Sequence, residues 1–462
     1  MATKPRTKAP VQALGKAVRS SRRQPKALAL DGGGRGAARS AGKGVTARSS
    51  AKASKITEVR KPQRQPMALA LAGGGPLGAI YELGALLALS EALEGVDFNA
   101  MDMYVGVSSG SFIAAGLANG LTADRMRQMF IESDTAAEPI APEVLLNPAF
   151  KEYAQRALSL PTLFLSALFD YVAHPFDQHF LTAFQRLSQA IPIGVFSGTG
   201  IHDTLSRLFA APGRSNDFRK LKHRLFVVAT DLDSGNSVEF GMPGRDAVPI
   251  STAVQASAAL PGLFPPVEIN GRHYVDGALK KTLHASVALK EGAKLVLCIN
   301  PLVPFDADLA QKRGAGRHYN LVDGGLPLVL SQTFRALIHS RMQVGMGKYG
   351  LQYPDADVVL FEPSSDDAEM FFANIFSYAS RGHLCEHAYQ KTRIDLYRRR
   401  HELKPILARH GVSIRLDVLK ETRSVLRGTP AVPMGDILTG TVQQLALSLD
   451  ALEHWLAEQN TP

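Results

Sequence analysis

Two strand–helix units, one directly after the other, constrain the fold of this chain most strongly. The apolar run 67–72 ends in Gly73–Gly75, and apolar residues then recur at helical spacing from Ala79 to Leu93. A second apolar run, Met103–Val107, is followed by a small-residue stretch over 109–119 that is typical of a helix. Two such units within about 55 residues predict an α/β fold with a mostly parallel sheet flanked by helices.

The rest of the chain continues this pattern and then becomes mainly helical. Later strands are predicted at 225–230, 237–240, 294–299 and Asp357–Phe361, and helices at 325–348, 366–404 and Ile437–Leu456. The segment 134–215 contains aromatic and leucine clusters broken by prolines, which predicts a helical insertion. Ordinary core packing explains most of these apolar residues, and a lid over a binding site is the sharper hypothesis.

Residues 1–65 differ in composition from everything that follows. They hold 17 of the 52 Lys and Arg residues of the chain but only two acidic residues, so the net charge of +10 belongs to this segment. Without a sustained apolar period, such a segment cannot bury enough surface to offset its chain entropy. We therefore expect a disordered basic tail. Its charge suits an anionic membrane or another polyanion, and equally a solvated tail without a partner.

Cysteine content and apolar runs bear on the compartment. Cys298 and Cys385 are the only cysteines, which gives neither a disulfide framework nor zinc-ligand spacing and favours a reducing compartment. The apolar stretch 157–169 falls short of the roughly 20 residues that a membrane-spanning helix needs. The sequence predicts a cytoplasmic protein that is either soluble throughout or attached to a membrane at its surface. It predicts no metal and no cofactor.

A G-x-S-x-G motif lies between the second strand and its helix. In this motif Ser108 has Gly106 and Gly110 two residues to either side. The spacing is typical of a nucleophile elbow, where glycines let the chain turn sharply and expose the serine at a helix N-terminus. Because the pentapeptide stands between a predicted strand and a predicted helix, Ser108 is the candidate nucleophile.

A second glycine motif precedes the elbow. The backbone N–H groups of Gly73, Gly74 and Gly75 can form an oxyanion hole for a tetrahedral intermediate. Together with Gly78 the same residues also satisfy the dinucleotide-binding fingerprint. That alternative requires an acidic residue at the end of the second strand, whereas here the second strand leads into Ser108.

The third motif places a carboxylate at a turn. The predicted strand 269–274 leads to Asp276, which Gly277 follows. Taken alone, Asp-Gly is more often an Asx-turn than part of an active site.

Together, the three motifs resemble the patatin-like phospholipase family. The resemblance covers about 66–303. Besides the three motifs it includes the segments 229–235 and 256–266. It implies a three-layer catalytic domain over 66–303. The sequence pattern adds the helical insertion at 134–215 and predicts a mainly helical extension, 304–462, that packs on this domain.

The resemblance also implies a Ser–Asp dyad without histidine. In that scheme Ser108 attacks a lipid ester, Asp276 acts as its base, and the glycine-loop amides hold the oxyanion. Leu77 stands where the family usually has Arg or Lys. After Asp276-Gly-Ala the family often has Asn and Pro, whereas this chain continues with Leu279–His284. A further glycine motif at 27–36 echoes the first, but no helical pattern follows it. We therefore assign the oxyanion loop to Gly73–Gly78.

Two alternatives remain at the level of sequence. An α/β-hydrolase would use a Ser–His–Asp or Ser–His–Glu triad, for which His284 or His318 could supply the histidine. A catalytically inactive hydrolase fold, tethered to a membrane or nucleic acid by its basic tail, would not react at Ser108.

Overall fold

The computed structural model describes four stretches of the chain. The tail 1–64, most of the predicted insertion, His318 and the predicted helix at Ile437–Leu456 lie outside these stretches. The described residues are 65–132, 194–314, 320–373 and 378–425.

Eight strands of the described stretches form one sheet. They are β1 (Met67–Leu71), β3 (Met103–Val107), β4 (Arg224–Asp231), β5 (Ser237–Phe240), β6 (Val267–Ile269), β7 (Arg272–Asp276), β8 (Leu295–Ile299) and β9 (Asp357–Phe361). Their order is β6-β7-β4-β3-β1-β8-β9, and β5 pairs with β4 outside this path. The five neighbours β4, β3, β1, β8 and β9 run parallel, and β5, β6 and β7 are antiparallel to their partners. A separate pair joins β2 (Leu93–Glu94) to β10 (Ser413–Ile414).

Helices cover both faces of this sheet. In the described stretches, no helix is both long enough and apolar enough to cross a membrane. The helices are α1 (Gly75–Ala92), α2 (Ser109–Ala118), α3 (Ala123–Ile131), α4 (Thr199–Phe209), α5 (Ile250–Ser257), α6 (Ala285–Lys290), α7 (Ala307–Lys312), α8 (Gly325–Gln352), α9 (Ala368–Phe371), α10 (Tyr378–Arg398), α11 (Arg400–Ala408) and α12 (Leu416–Lys420).

The central strands are buried on both sides. Every residue of β1 and β3 is buried, as in parallel sheets that have helices on each face. Leu69 and Leu71 point into a core shared with α1, α2 and α10. Ala68 and Ala70 point into a second core shared with α6 and α8. These two cores separate three layers, which confirms the predicted α/β class with a mostly parallel sheet.

A close contact joins helix α1, early in the described chain, to helix α10, late in it. A Cβ atom on Gly84 of α1 would overlap the carbonyl oxygen of Cys385 and lie 2.8 Å from Cβ of Ala388 in α10. The missing side chain at Gly84 therefore lets α10 pack directly on α1, the helix that follows the glycine loop.

Helix α1 has other bounds than the sequence pattern predicts, whereas strand β9 agrees with its prediction. The apolar period predicts a helix from Ala79 to Leu93, whereas α1 begins at Gly75, because Pro76 fits the first turn of a helix. The helix ends before Leu93, which pairs with Ile414 instead. The strand predicted at Asp357–Phe361 is present and joins the sheet beside β8.

Candidate active site

Ser108 occupies a strained turn between β3 and α2. Its backbone has φ 51° and ψ −125°, and it is one of two non-glycine residues with positive φ in the described stretches. Left-handed backbone is unfavourable for a residue with a Cβ atom, and such strain often marks functional positions. The side chain is 7% exposed, so it lies at the edge of the interior.

The two glycines of the elbow are required by close backbone contacts. A Cβ atom on Gly106 would overlap Cα of Ser111 and lie 2.7 Å from the carbonyl oxygen of Gly110. A Cβ atom on Gly110 would overlap the carbonyl oxygen of Ala72 and lie 2.7 Å from the carbonyl of Leu71. The elbow is therefore pressed against the end of β1, where the glycine loop begins.

Gly73 is the point at which the three sequence motifs meet. A Cβ atom placed on Gly73 would lie 2.9 Å from Cβ of Ser108 and 3.2 Å from Cβ of Ala278, which follows the Asp276–Gly277 turn. Gly75 has φ +61°, which a residue with a side chain would adopt only with strain. The loop thus runs alongside Ser108 at van der Waals distance.

The glycine loop presents backbone donors. The N–H groups of Gly73 and Gly74 donate to no acceptor in the described stretches. Gly75 is the first residue of α1, and such an N–H lacks an intrahelical acceptor. Pro76 follows and has no N–H to offer.

Asp276 lies level with Ser108 across one strand. In the antiparallel pair of β7 and β4, Asp276 lies opposite Ala229. In the parallel pair of β3 and β4, Val107 lies opposite Val228. Ser108 and Asp276 therefore flank β4 at the same height, and the Ser108 side chain is close enough to the carboxyl group to lower its pKa.

Burial dominates the electrostatics of Asp276. The residue is 2% exposed, and loss of solvent raises the pKa of its carboxyl group from 3.8 to about 6. The Ser108 side chain and the Ala278 N–H hold the pKa below what burial alone would give, and the Ala278 N–H donates to the carboxylate at 2.8 Å. The Asx-turn that the sequence also suggested is present, and it leaves the carboxylate near Ser108.

Ser257 contributes to the site although the sequence pattern did not single it out. Its hydroxyl accepts a hydrogen bond from the Ser108 N–H at 2.8 Å and donates to the carbonyl of Val228 at 2.6 Å. The side chain is fully buried at the end of α5. It links the elbow to β4, the strand between Ser108 and Asp276. The resemblance of segment 256–266 to the family was the one signal pointing to this helix.

Pro301 supports the glycine loop from the end of β8. A Cβ atom on Gly74 would lie 2.6 Å from Cγ of Pro301, and one on Gly78 would lie 3.0 Å from the same atom. The ring therefore packs on two glycines at once and fixes the path of the loop. No motif in the sequence pointed to this proline.

The other predicted residues fall outside this arrangement. His284 is buried at the start of α6, and burial, with smaller contributions from Lys281 and Lys290, lowers the pKa of its ring to about 4. No histidine in the described stretches is among the groups that shift the pKa of Asp276. Leu77, at the position of the usual family cation, packs on the first core. The described stretches hold no group of three or more His, Cys, Asp and Glu side chains suited to a metal ion.

The family assignment comes from residues 69–289. They match the family model described as Patatin-like phospholipase, and this range contains the loop, the elbow and the aspartate. This part of the chain belongs to the patatin-like phospholipase family. At the level of the family, the domain is one of the lipid acyl hydrolases.

Two solved structures are similar to the chain at low identity. VipD from Legionella pneumophila is 15% identical, with a TM-score of 0.29, over 72% of this chain and 66% of VipD. The type III effector protein ExoU is 14% identical, with a TM-score of 0.31, over 72% of this chain and 52% of ExoU. The chain thus spans less than two thirds of the length of either protein.

Proposed function

We propose that this chain is a serine acyl-ester hydrolase that acts on lipid esters through Ser108 and Asp276. The observation that carries the proposal is the convergence at one sheet edge of a strained serine, a buried carboxylate and unpaired backbone N–H groups. The match to the Patatin-like phospholipase family model supports lipid esters as the substrate class. The proposed activity is that of a phospholipase A, a lysophospholipase or an acylglycerol lipase.

In the first half-reaction, the Ser108 hydroxyl oxygen attacks the ester carbonyl carbon. Its proton passes to the Asp276 carboxylate, which lies at the same height on the other side of β4. The carbonyl oxygen takes the negative charge and accepts hydrogen bonds from the N–H groups of Gly73, Gly74 and Gly75. The C–O bond to the alcohol then breaks, and the leaving alkoxide takes the proton from Asp276. The product is an acyl ester of Ser108.

In the second half-reaction, water replaces the alcohol. The Asp276 carboxylate removes a proton from water as the water oxygen attacks the acyl carbon. The same N–H groups hold the second oxyanion. The bond to the Ser108 oxygen breaks, the serine recovers its proton from Asp276, and a fatty acid leaves. No cofactor takes part in this scheme.

The raised pKa suits a base that acts without histidine. A carboxyl group with an ordinary pKa is a weak base, whereas a pKa of about 6 makes Asp276 a stronger base that is still ionised at neutral pH. Burial provides this shift, and the nearby Ser108 side chain moderates it.

The basic tail, residues 1–65, is proposed to add weak attraction to anionic membranes. It carries 17 Lys and Arg against two acidic residues, and clustered cations near a headgroup surface each contribute about 1 kcal/mol. In this scheme the protein is cytoplasmic and reaches a membrane from its surface.

Hydrolysis of a soluble p-nitrophenyl acyl ester tests the dyad. We expect Ser108→Ala and Asp276→Asn each to lower kcat/KM by roughly a thousandfold or more. Ser109→Ala, one residue along the chain, is the matched control for Ser108→Ala and keeps most of the activity. If Ser108→Ala hydrolyses the ester like wild type, the proposal is wrong. If a His284 or His318 variant is inactive while Asp276→Asn is not, a triad replaces the dyad.

A further inference from the structure

Helix α8 carries apolar residues on two opposite sides. One side packs on the second face of the sheet through Met342 and Tyr349, which are 6% and 7% exposed. The opposite side exposes Leu337, Val344 and Leu351 by 55%, 58% and 86%. A surface helix normally has one apolar side, which packs on the protein. Helix α8 has a second apolar side, and this side is exposed to solvent.

The exposed residues form one continuous stripe. Leu330, 44% exposed, precedes Leu337, Val344 and Leu351 at intervals of seven residues, or about two helical turns. Leu326, 69% exposed, extends the same line by one turn toward the N-terminus. These five residues are called the outer stripe, and they span roughly 38 Å of the helix surface.

The charges on α8 have a single sign. Its 28 residues, Gly325–Gln352, include Arg335, Arg341 and Lys348 but neither Asp nor Glu. Arg341 and Lys348 are exposed and stand beside the outer stripe. A leucine stripe flanked by long cationic side chains is the pattern of a helix that lies in a membrane interface.

Helix α8 is also fixed to both loops that border the candidate active site. Arg341 donates a hydrogen bond at 3.2 Å to the carbonyl of Leu279, three residues after Asp276. Arg335 donates at 3.3 Å to the carbonyl of Val303, two residues after Pro301. A surface bound along the outer stripe is thereby held beside the catalytic edge.

We infer that the outer stripe of α8 is the surface through which this protein docks on an anionic lipid bilayer. The leucines enter the acyl boundary, and Arg341 and Lys348 contact anionic headgroups. This assignment deepens the proposed function and rests on it, because a lipid hydrolase must reach its substrate in a bilayer.

A bilayer fits the outer stripe better than a second copy of the chain. In a symmetric dimer along the stripe, Arg341 and Lys348 of the two copies would face one another without an acidic partner on the helix. Like charges at such close range are destabilising, whereas anionic headgroups would neutralise them.

Vesicle sedimentation in the Ser108→Ala background tests the inference, since the lipid then stays intact. Vesicles of phosphatidylcholine and phosphatidylserine are used in high salt, which screens the charge of the basic tail. We expect Leu337→Gln, Val344→Gln and Leu351→Gln, combined, to weaken vesicle binding by roughly a hundredfold or more. The control is Leu416→Gln on α12, which is 39% exposed outside the stripe and should bind like its parent.

A labelled variant keeps the test decisive if the triple variant folds poorly. Both native cysteines are buried, so an environment-sensitive fluorophore reacts with an introduced thiol. We expect vesicles to shift the emission of Val344→Cys to the blue and to leave Leu416→Cys unchanged. No shift at Val344→Cys, or equal shifts at both sites, overturns the inference.

Three other results separate the outcomes. Vesicle binding that the triple substitution leaves intact discards the docking surface. A wild-type dimer that the triple substitution converts to a monomer, with vesicle binding unchanged, makes the stripe a self-association surface instead. Because vesicle binding is measured without a working Ser108, full activity of Ser108→Ala on the soluble ester would refute the proposed dyad without affecting this readout.

Discussion

The hydroxyl of Ser257 holds the backbone of Ser108, accepting its N–H at 2.8 Å while donating to β4. This contact uses the one backbone donor that Ser108 possesses. That N–H is therefore not available to a developing oxyanion, whereas those of Gly73 and Gly74 donate to no acceptor in the described stretches. Ser257 is a positioning residue in this arrangement, since it acts through Ser108.

We expect Ser257→Ala to lower kcat on a soluble ester by roughly ten- to a hundredfold, because the elbow loses its tie to β4. The buried Ser108 N–H would also be left unpaired, at a loss of about 1–3 kcal/mol in the free energy of unfolding. The matched control is Ser251→Ala in the same helix. Ser251 is equally buried, and its hydroxyl bonds Ser206 and Asn216 away from the site. Equal losses of kcat in both variants would contradict a positioning role.

Gly110→Ala should abolish ester hydrolysis and destabilise the fold, because the new methyl group would overlap the backbone of Ala72. Gly116→Ala lies in the same helix and provides the comparison. Its new methyl group would meet the sulfur of Met126 at 2.5 Å, and that flexible side chain can move aside. Thermal unfolding and hydrolysis of both variants check this. A Gly110→Ala protein as active as Gly116→Ala would refute the close contact.

The buried carboxylate should produce an acidic limb in the pH–rate profile. Asp276 must be ionised to act as a base, so kcat/KM should rise through a pH of about 6 and level off above it. The Ser108→Ala substitution removes a contact that lowers the pKa of Asp276. In Ser108→Ala, the carboxyl resonance followed by NMR should therefore titrate at a higher pH than in wild type.

The same shift has a consequence for stability. Because the folded pKa is about 6 and the ordinary value is 3.8, the native state binds more protons than the unfolded state between these values. Stability contributed by Asp276 is thus lost as pH rises from the ordinary pKa of 3.8 to the folded pKa of about 6. Asp276→Asn does not titrate, so its stability relative to wild type should increase by roughly 3 kcal/mol across this window. Chemical denaturation at several pH values measures the difference, and a constant difference would contradict the shift.

His284 should act on stability in the opposite direction and not on catalysis. Burial lowers the pKa of its ring from 6.5 to about 4, so the unfolded state binds more protons in this range. Stability is therefore lost as pH falls below 6.5. We expect His284→Gln to flatten this acid-side loss and to retain ester hydrolysis at neutral pH. A variant without hydrolytic activity but with normal folding would favour the triad.

Removal of residues 1–62 should weaken binding to anionic vesicles without affecting ester hydrolysis. Hydrolysis of a short soluble ester is expected to stay intact, because the loop, the elbow and the aspartate all lie beyond the deletion. Binding to anionic vesicles in low salt should weaken, and binding to neutral vesicles should change little. Equal binding of the full and shortened chains to anionic vesicles would discard the role of the tail.

Several parts of the fold could be predicted because local residues determine them. Continuous apolar runs identified β1, β3, β4 and β8, and the glycine spacing identified the turns that follow β1 and β3. Glycine is informative at such turns because Gly106 and Gly110 leave room for neighbouring backbone, which no other residue could do. The pairing of Ser108 with Asp276 was implied by the resemblance to the family, since Asp-Gly taken alone is more often an Asx-turn.

Other features depend on contacts between distant residues, which no local pattern records. The bond from Ser108 to Ser257 joins positions 149 residues apart, and a serine in a small-residue helix has no distinguishing signal. The outer stripe of α8 is similar in this respect. Leu337 and Met342 are both apolar at helical spacing, and the sequence does not indicate which side faces the sheet.

The strand order also has a consequence for the time at which activity arises. Strand β1 lies between β3 and β8, and Met67 pairs with Leu295. The helix that follows the glycine loop is packed through Gly84 on α10, near Cys385. A ribosome releases the loop and Ser108 long before it releases these partners, and distant pairings form last. In the proposed function, hydrolysis of lipid esters can therefore begin only after β8 and α10 have left the ribosome.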